Sequence, residues 1–256
     1  MSALSTLFEA QVRPGMATQP ALTRAMKVLE STGFNCAIYD YSPVARSHEG
    51  ILITPSVLEM VNTPPDMAQL WCNDGYYQVD PVQEAALTVT RPFLWSYRGG
   101  PNAVMHRILS AKHSPVLSYV RDTRLTCGIT VPIRFNGGDL ATFNAIRIDP
   151  EPDFEKDAER LLAEIGELGQ LFHDTVYPGF DARSRSSRYG RLTARERQCL
   201  RLCAHGLTTK QVAHEIGRSI PTATLHLTSA VRKLGARNRS HAIALAAHYR
   251  LLEPEA

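Results

Sequence analysis

A chain of 256 residues, 44% hydrophobic and 21% charged, has room for two domains with real cores, and its net charge of +3 hides a strong division. Residues 180–256 hold 14 Lys and Arg against 5 Asp and Glu, net +9, whereas residues 1–179 hold 14 against 20, net −6. No apolar run approaches the roughly 18 residues of a membrane helix, no basic stretch leads into an apolar h-region, and five cysteines without a Cys-x-x-Cys pair argue against a disulfide framework and a zinc site, so the expectation is a cytoplasmic protein without membrane contact, metal or cofactor.

The acidic part alternates helices with strands. Residues 20–31 have helical periodicity, 34–41 are strand-like, and 51–54 form a short apolar run. Helices are expected over 66–74 and 81–88, then a strand over 92–97 and a helix over 102–112. Two β-rich runs, 127–135 and 140–148, are joined through Asn136-Gly137-Gly138, a hairpin signal. Phe154, Ala158, Leu161, Leu162, Ile165, Leu171 and Phe172 mark a long amphipathic helix. A hairpin implies an antiparallel sheet, and the helices must bury their apolar stripes against it, so the fold class is α+β: an N-terminal α-β-α sandwich over residues 1–177. Residues 178–190, rich in Ser and Arg with Pro178 and Gly179 at the start, read as a linker.

The basic part, 191–256, is punctuated as four helices. Thr193 with Glu196 and Thr208 with Gln211 are capping boxes, in which each side chain satisfies a backbone N–H that the helix start leaves orphaned. Gly206, Gly217 and Gly235 sit where a helix would end in the left-handed conformation. Ser219 caps a third helix with Pro221 tolerated in its first turn, and Ser240 is expected to cap a fourth. The turn between the second and third helices then has helix-turn-helix length. In the third helix Ala223, His226, Ala230, Val231 and Leu234 fall on one face, leaving Thr224, Leu225 and Thr228 outward. Cys199 and Cys203, one turn apart, read as small packed residues. A basic module of this kind attracts phosphate without regard to sequence, although each of its charges is also explained by a solvated face.

Leu192-Thr193, Arg195-Glu196, Leu200, Ala204, Gly206, Val212-Ala213, Ser219, Thr222, His226, Lys233-Leu234, Arg239 and Ala242 together resemble the LuxR-type helix-turn-helix signature. The resemblance implies that the third helix enters the major groove of double-stranded DNA, with Thr224, Leu225 and Thr228 at base edges and Ser219 and Thr222 at its head. It implies phosphate contacts from Lys210, Arg232 and Lys233, and a homodimer on an inverted repeat. Threonine cannot form the bidentate pair by which arginine reads guanine.

The first domain resembles the autoinducer-binding domain of LuxR-type quorum-sensing regulators through Asn62-x-Pro64, Asp80-Pro81-Val82, Pro92, Trp95, and Gly128 ahead of Pro132. There the resemblance implies a closed cavity for an acyl-homoserine lactone, with Asp80 accepting the ligand's amide N–H. The positions of Thr63, Met67 and Trp71 usually carry Tyr, Trp and Tyr. Here the first keeps a hydroxyl on a shorter stem, the second has no donor, and the third replaces a phenol by an indole. Each donor lost opposite a buried carbonyl costs roughly 1–3 kcal/mol. With Met67 and Trp71 the chain is similar to the orphan, or solo, LuxR regulators of plant-associated bacteria, which answer to small plant-derived compounds. The candidate ligand set is Thr63, Met67, Trp71, Tyr77, Asp80, Trp95, Asn144 and Tyr39. The aromatic and methionine members are equally explained as core, and Asp80 as the N-cap of the helix opened by Pro81. A conventional lactone receptor and a phosphorelay regulator are the alternatives; the second needs an acidic pair after its first strand, where this chain has Ser42-Pro43. No motif of hydrolase, kinase or dinucleotide enzyme is present, so no catalysis is expected.

Overall fold

The computed structural model describes residues 1–98, 103–135, 138–149, 151, 153–187, 189 and 192–252. Two N-terminal helices, α1 (Ala3–Glu9) and α2 (Thr18–Glu30), lead into strands β1 (Cys36–Ser42) and β2 (Val57–Val61). Then come α3 (Met67–Cys72), a 3-10 turn at Tyr77–Val79, α4 (Pro81–Ala86), β3 (Phe93–Ser96), α5 (Ala103–His106), α6 (Ser114–Asp122), β4 (Cys127–Arg134) and β5 (Leu140–Arg147). Helices α7 (Phe154–Arg160) and α8 (Leu162–Val176) close the first domain, and α9 (Ala194–Ala204), α10 (Thr209–Glu215), α11 (Ile220–Lys233) and α12 (Arg239–His248) form the second.

The sheet is antiparallel in the order β2-β1-β5-β4-β3. Side chains on a strand alternate faces, and the register sorts them cleanly. Tyr39, Tyr41, Ile129, Val131, Ala141, Phe143 and Ala145 pack with Phe8, Leu22, Ile165 and Phe172 of α1, α2 and α8. Cys36, Ile38 and Ile146 face the other way, toward Met67, Trp71, Val82, Val116 and Val120. This is the α-β-α sandwich expected from the hairpin. At Gly128 a Cβ would lie 2.6 Å from the Trp95 ring and 2.8 Å from the Ala145 carbonyl, so the missing side chain is what lets the indole lie across the sheet.

Several boundaries differ from expectation. The run 51–54 forms no strand; only Leu52 bridges Arg46, and the strand beside β1 is Val57–Val61, whose half-buried edge position weakens its apolar signal. The helix expected over 102–112 shrinks to α5 and a 3-10 turn, and α6 follows because Pro115 sits in its first turn, where no N–H is needed. The long final helix breaks at Leu161, since α7 packs on β3 and β4 whereas α8 runs over β4 and β5. Of the hairpin turn, Asn136 and Gly137 lie outside the described residues; Gly138 has φ +87°.

In the second domain both capping boxes form as read, and Gly206 and Gly217 take φ +89° and +62°. The buried stripe of α11 is Ala223, Leu227, Ala230 and Leu234; His226 and Val231 only flank it. The cap of α12 is Asn238, whose side chain accepts the His241 N–H at 2.8 Å, which places Ser240 inside the first turn. Asn satisfies that orphan donor as well as Ser does.

The two domains touch. Val44 and Ile53, from the loop after β1, join the core of the second domain. The Tyr249 hydroxyl lies 2.8 Å from His48 Nδ1, and its ring stacks on Tyr189 at 4.0 Å. Arg250, left-handed at φ 54° just past α12, ion-pairs with the buried Asp139, which also accepts the Tyr41 hydroxyl at 2.5 Å. Removing one partner of such a pair leaves a buried charge. Arg250→Ala is therefore expected to release the second domain, dividing a single calorimetric unfolding transition into two and speeding proteolysis within 181–192. A single unchanged transition would count against this contact.

Candidate functional site: a sensor cavity and a helix-turn-helix

Between the sheet and the layer of α3, α4 and α6 lies an internal cavity of about 40 Å3, room for only a few waters. Met67, Trp71, Tyr77, Asp80, Trp95 and Asn144, six of the eight residues singled out from sequence, line it together. The other two do not. Tyr39 lies one residue out of phase with Ile38 and Asp40, so its ring packs 4.9 Å from Phe172 on the opposite face, with its hydroxyl 2.7 Å from His173 Nδ1. Thr63 follows Asn62, whose left-handed backbone (φ 60°) turns the chain at the sheet edge, and it is outside the cavity.

Asp80 is the N-cap of α4 and also accepts an internal donor. Its Oδ1 caps α4, accepting the N–H of Val82 at 2.8 Å and of Gln83 at 3.4 Å, while its Oδ2 accepts the Trp71 indole N–H at 2.8 Å. The indole thus occupies, from inside the protein, an acceptor that a ligand N–H could use. Burial raises the Asp80 pKa, and these three donors oppose that rise.

A second carboxylate, unmarked by sequence reading, shares the cavity. Asp40, fully buried on β1, accepts the Tyr77 hydroxyl at 2.9 Å, Gln83 Nε2 at 2.9 Å, and the Thr142 hydroxyl. Behind it runs a directed chain: Trp95 N–H donates to Thr130 at 2.9 Å, Thr130 to Asn144 Oδ1 at 2.6 Å, and Asn144 Nδ2 to Thr142 at 2.9 Å. These three bonds run toward Asp40, while Asn144 Nδ2 also donates to the Ile38 carbonyl at 3.3 Å. Burial nonetheless pushes the Asp40 pKa up to about 7, a rise to which the charge of Asp80 adds. The available signal was period two: an aspartate in phase with Ile38 within Cys36-Ala37-Ile38-Tyr39-Asp40, and Thr142 in phase with Asn144 on β5.

On the second domain, Thr224, Leu225 and Thr228 project outward from α11, Leu225 with 70% of its surface exposed. Thr224 spends its proton on the Ile220 carbonyl at 2.9 Å, and Ser219 accepts the Thr222 N–H at the helix head. Lys210 and Arg232 are exposed. Lys233 is already engaged: its Nζ lies 2.8 Å from the buried Glu196, which also accepts the Thr193 N–H and the Ser229 hydroxyl, both at 2.7 Å. Burial works to raise the Glu196 pKa, but the bonds from Lys233, Thr193 and Ser229 prevail and hold it at about 2. Lys233 therefore braces α11 against α9 whatever it does to phosphate.

Two family models cover most of the chain: the autoinducer binding domain matches residues 20–176, and the bacterial regulatory proteins of the luxR family match 191–246. The transcriptional activator protein BjaR1 of Bradyrhizobium diazoefficiens is 29% identical over 195 residues, spanning 75% of this chain and 74% of that one. RpaR of Rhodopseudomonas palustris, an HTH-type quorum sensing-dependent transcriptional regulator, is 27% identical over 233 residues, spanning 89% and 86%. Among solved structures, Escherichia coli SdiA aligns with a TM-score of 0.53 at 16% identity over 93% of this chain and 94% of that one, a likeness of fold.

Asp40 couples the stability of the protein to pH. Its folded pKa, about 7, lies above the ordinary aspartate value of 3.8 because the side chain is buried. The native state therefore holds a proton that the unfolded state releases, and the resulting stabilisation, present below about pH 4, is lost as pH rises toward 7. Asp40→Asn should flatten that fall in unfolding free energy between pH 4 and 7, which is on the order of a few kcal/mol in the wild type and is read from denaturant unfolding at each pH. Parallel wild-type and variant profiles would show that Asp40 is ionised throughout.

Proposed function

This chain belongs to the luxR family of bacterial regulatory proteins, with an autoinducer-binding domain ahead of its helix-turn-helix, and we propose that it is a regulator of the solo type whose signal is a compact polar molecule with an N–H donor, of plant origin, in place of an acyl-homoserine lactone. The observation that carries this reading is the wall of the cavity: Asp80 is kept as an acceptor, while Met67 offers no donor and the one N–H of Trp71 is turned onto Asp80 itself. A lactone would meet its carbonyls with neither hydroxyl nor free indole from these two positions. The small volume also favours a compact occupant, for which Met60 and Met67 supply adaptable walls.

The output is transcription control by a cytoplasmic homodimer on an inverted repeat, each α11 in a major groove with half-sites about one helical turn apart. Leu225 and Ile220, both exposed on α11, suit apolar contact with thymine methyl groups.

Two measurements test this. A ligand that binds only the folded sensor should stabilise it by roughly 2.7 kcal/mol at a hundredfold excess over its dissociation constant. Asp80→Asn, which keeps a competent cap for α4, should abolish that shift, and long-chain acyl-homoserine lactones should give none; stabilisation by them at micromolar concentration would overturn the reading. Selection from a random duplex library should show altered sequence preference for Thr224→Ala and Thr228→Ala. Lys210→Ala should weaken all sequences alike and reduce the salt dependence. Unchanged preference in both threonine variants would remove α11 from base contact.

A further inference from the structure

We propose that the cavity is built for an organic ammonium ion, with Asp40 and Asp80 each taking one of its N–H groups and the Tyr97 hydroxyl serving a polar atom of the same molecule. This rests on the reading of the cavity as the signal site and narrows the signal from any N–H donor to a cation.

Three observations carry it. The first is that two carboxylates, both nine-tenths buried or more, line one small cavity, and neither is ion-paired or hydrogen-bonded to a cationic side chain among the described residues. Gln83 touches both: its side-chain amide donates to Asp40 Oδ2 at 2.9 Å and its backbone N–H to Asp80 Oδ1 at 3.4 Å. His113, the basic side chain whose field reaches Asp80, is committed elsewhere, accepting the Ser110 N–H at 3.0 Å on Nδ1 and lying 3.0 Å from Glu84 through Nε2. A buried carboxylate without a counter-charge is costly, and two in mutual repulsion more so. Glu196, by contrast, is buried with Lys233 beside it.

The second is a count of acceptors. A carboxylate offers about four lone-pair positions. Asp40 receives three donors, from Tyr77, Gln83 and Thr142, and Asp80 three, from Trp71, Val82 and Gln83. One position stays open on each, two in all, which the two or three N–H groups of a protonated secondary or primary amine can fill and the single N–H of a secondary amide cannot; a primary amide also has two, and there the charge decides. Because the neighbours of Asp40 all donate to it, they are arranged around an anion.

The third is independent of the acids. The Tyr97 hydroxyl is buried, belongs to a residue that lines the same cavity, feels the field of Asp80, and has no hydrogen-bond partner among the described residues. A buried hydroxyl left unbonded is destabilising, so it marks a place where a polar atom of the occupant belongs. Trp71, Trp95 and Tyr97 add aromatic faces that favour a cation further.

The test uses the full-length protein and three probes of nearly equal shape: isopentylamine, isovaleramide and isopentanol, compared by calorimetry and thermal shift at pH 7.5 and equal ionic strength. The ammonium ion should bind wild type at least about tenfold more tightly than either neutral probe, a charge-assisted gain. Asp40→Asn should remove that advantage. Equal or tighter binding of a neutral probe, or no amine binding at millimolar concentration, overturns the inference. If isovaleramide binds best and loses affinity in Asp80→Asn but not in Asp40→Asn, the reading of Asp80 as an N–H acceptor stands and the cationic one falls. Should Asp40→Asn not fold, the comparison of the three probes on wild type decides alone.

Discussion

A carboxylate buried at the middle of the sheet sets the terms for the sensor domain. Asp40 sits on β1 between β2 and β5, and satisfying it engages Thr142 on β5, Tyr77 in the 3-10 turn and Gln83 on α4. The same hydrogen bonds that make the charge tolerable therefore fix the helical layer over the sheet, and with it the shape of the cavity. An apolar residue here would loosen that tie, leaving the Gln83 amide its bond to the Thr142 hydroxyl at 3.1 Å.

The helix-turn-helix uses the same device with the opposite electrostatic outcome. Glu196 serves as the closing member of the α9 capping box and as the anchor for Ser229 and Lys233 of α11. Having a cation in reach, it is held ionised, and the recognition helix is fixed relative to the helix that supports it. Asp40 has polar neighbours and, among the described residues, no cationic partner, so burial raises its pKa whereas that of Glu196 is held low.

These two parts are physically joined through the C-terminal end of α12. Tyr249 and Arg250 meet His48 and Asp139, and Asp139 is itself held by Tyr41, the strand residue next to Asp40. The cavity strand and the contact between the domains are thus one residue apart, while Thr224 and Thr228 of α11 are exposed. A change in how β1 is held has a short route to the seat of the helix-turn-helix.

Sequence alone determined whatever depends on neighbours along the chain. Capping boxes at Thr193 and Thr208, glycines at helix ends, the charge division and the alternation of β4 and β5 are local rules, and each is found in the fold. The positions Met67, Trp71, Asp80 and Trp95 were legible because the resemblance carried them. Tertiary structure decided what depends on phase and on distant partners. Whether Tyr39 or Asp40 faces the cavity turns on a single residue of strand register, and the break at Leu161 on which strands α7 and α8 each cover. That Asp40 stands beside Asp80 without a cation, that Trp71 is turned onto Asp80, and that Lys233 belongs to Glu196 are relations between side chains 37 to 40 residues apart or across separate elements, and no local pattern encodes them.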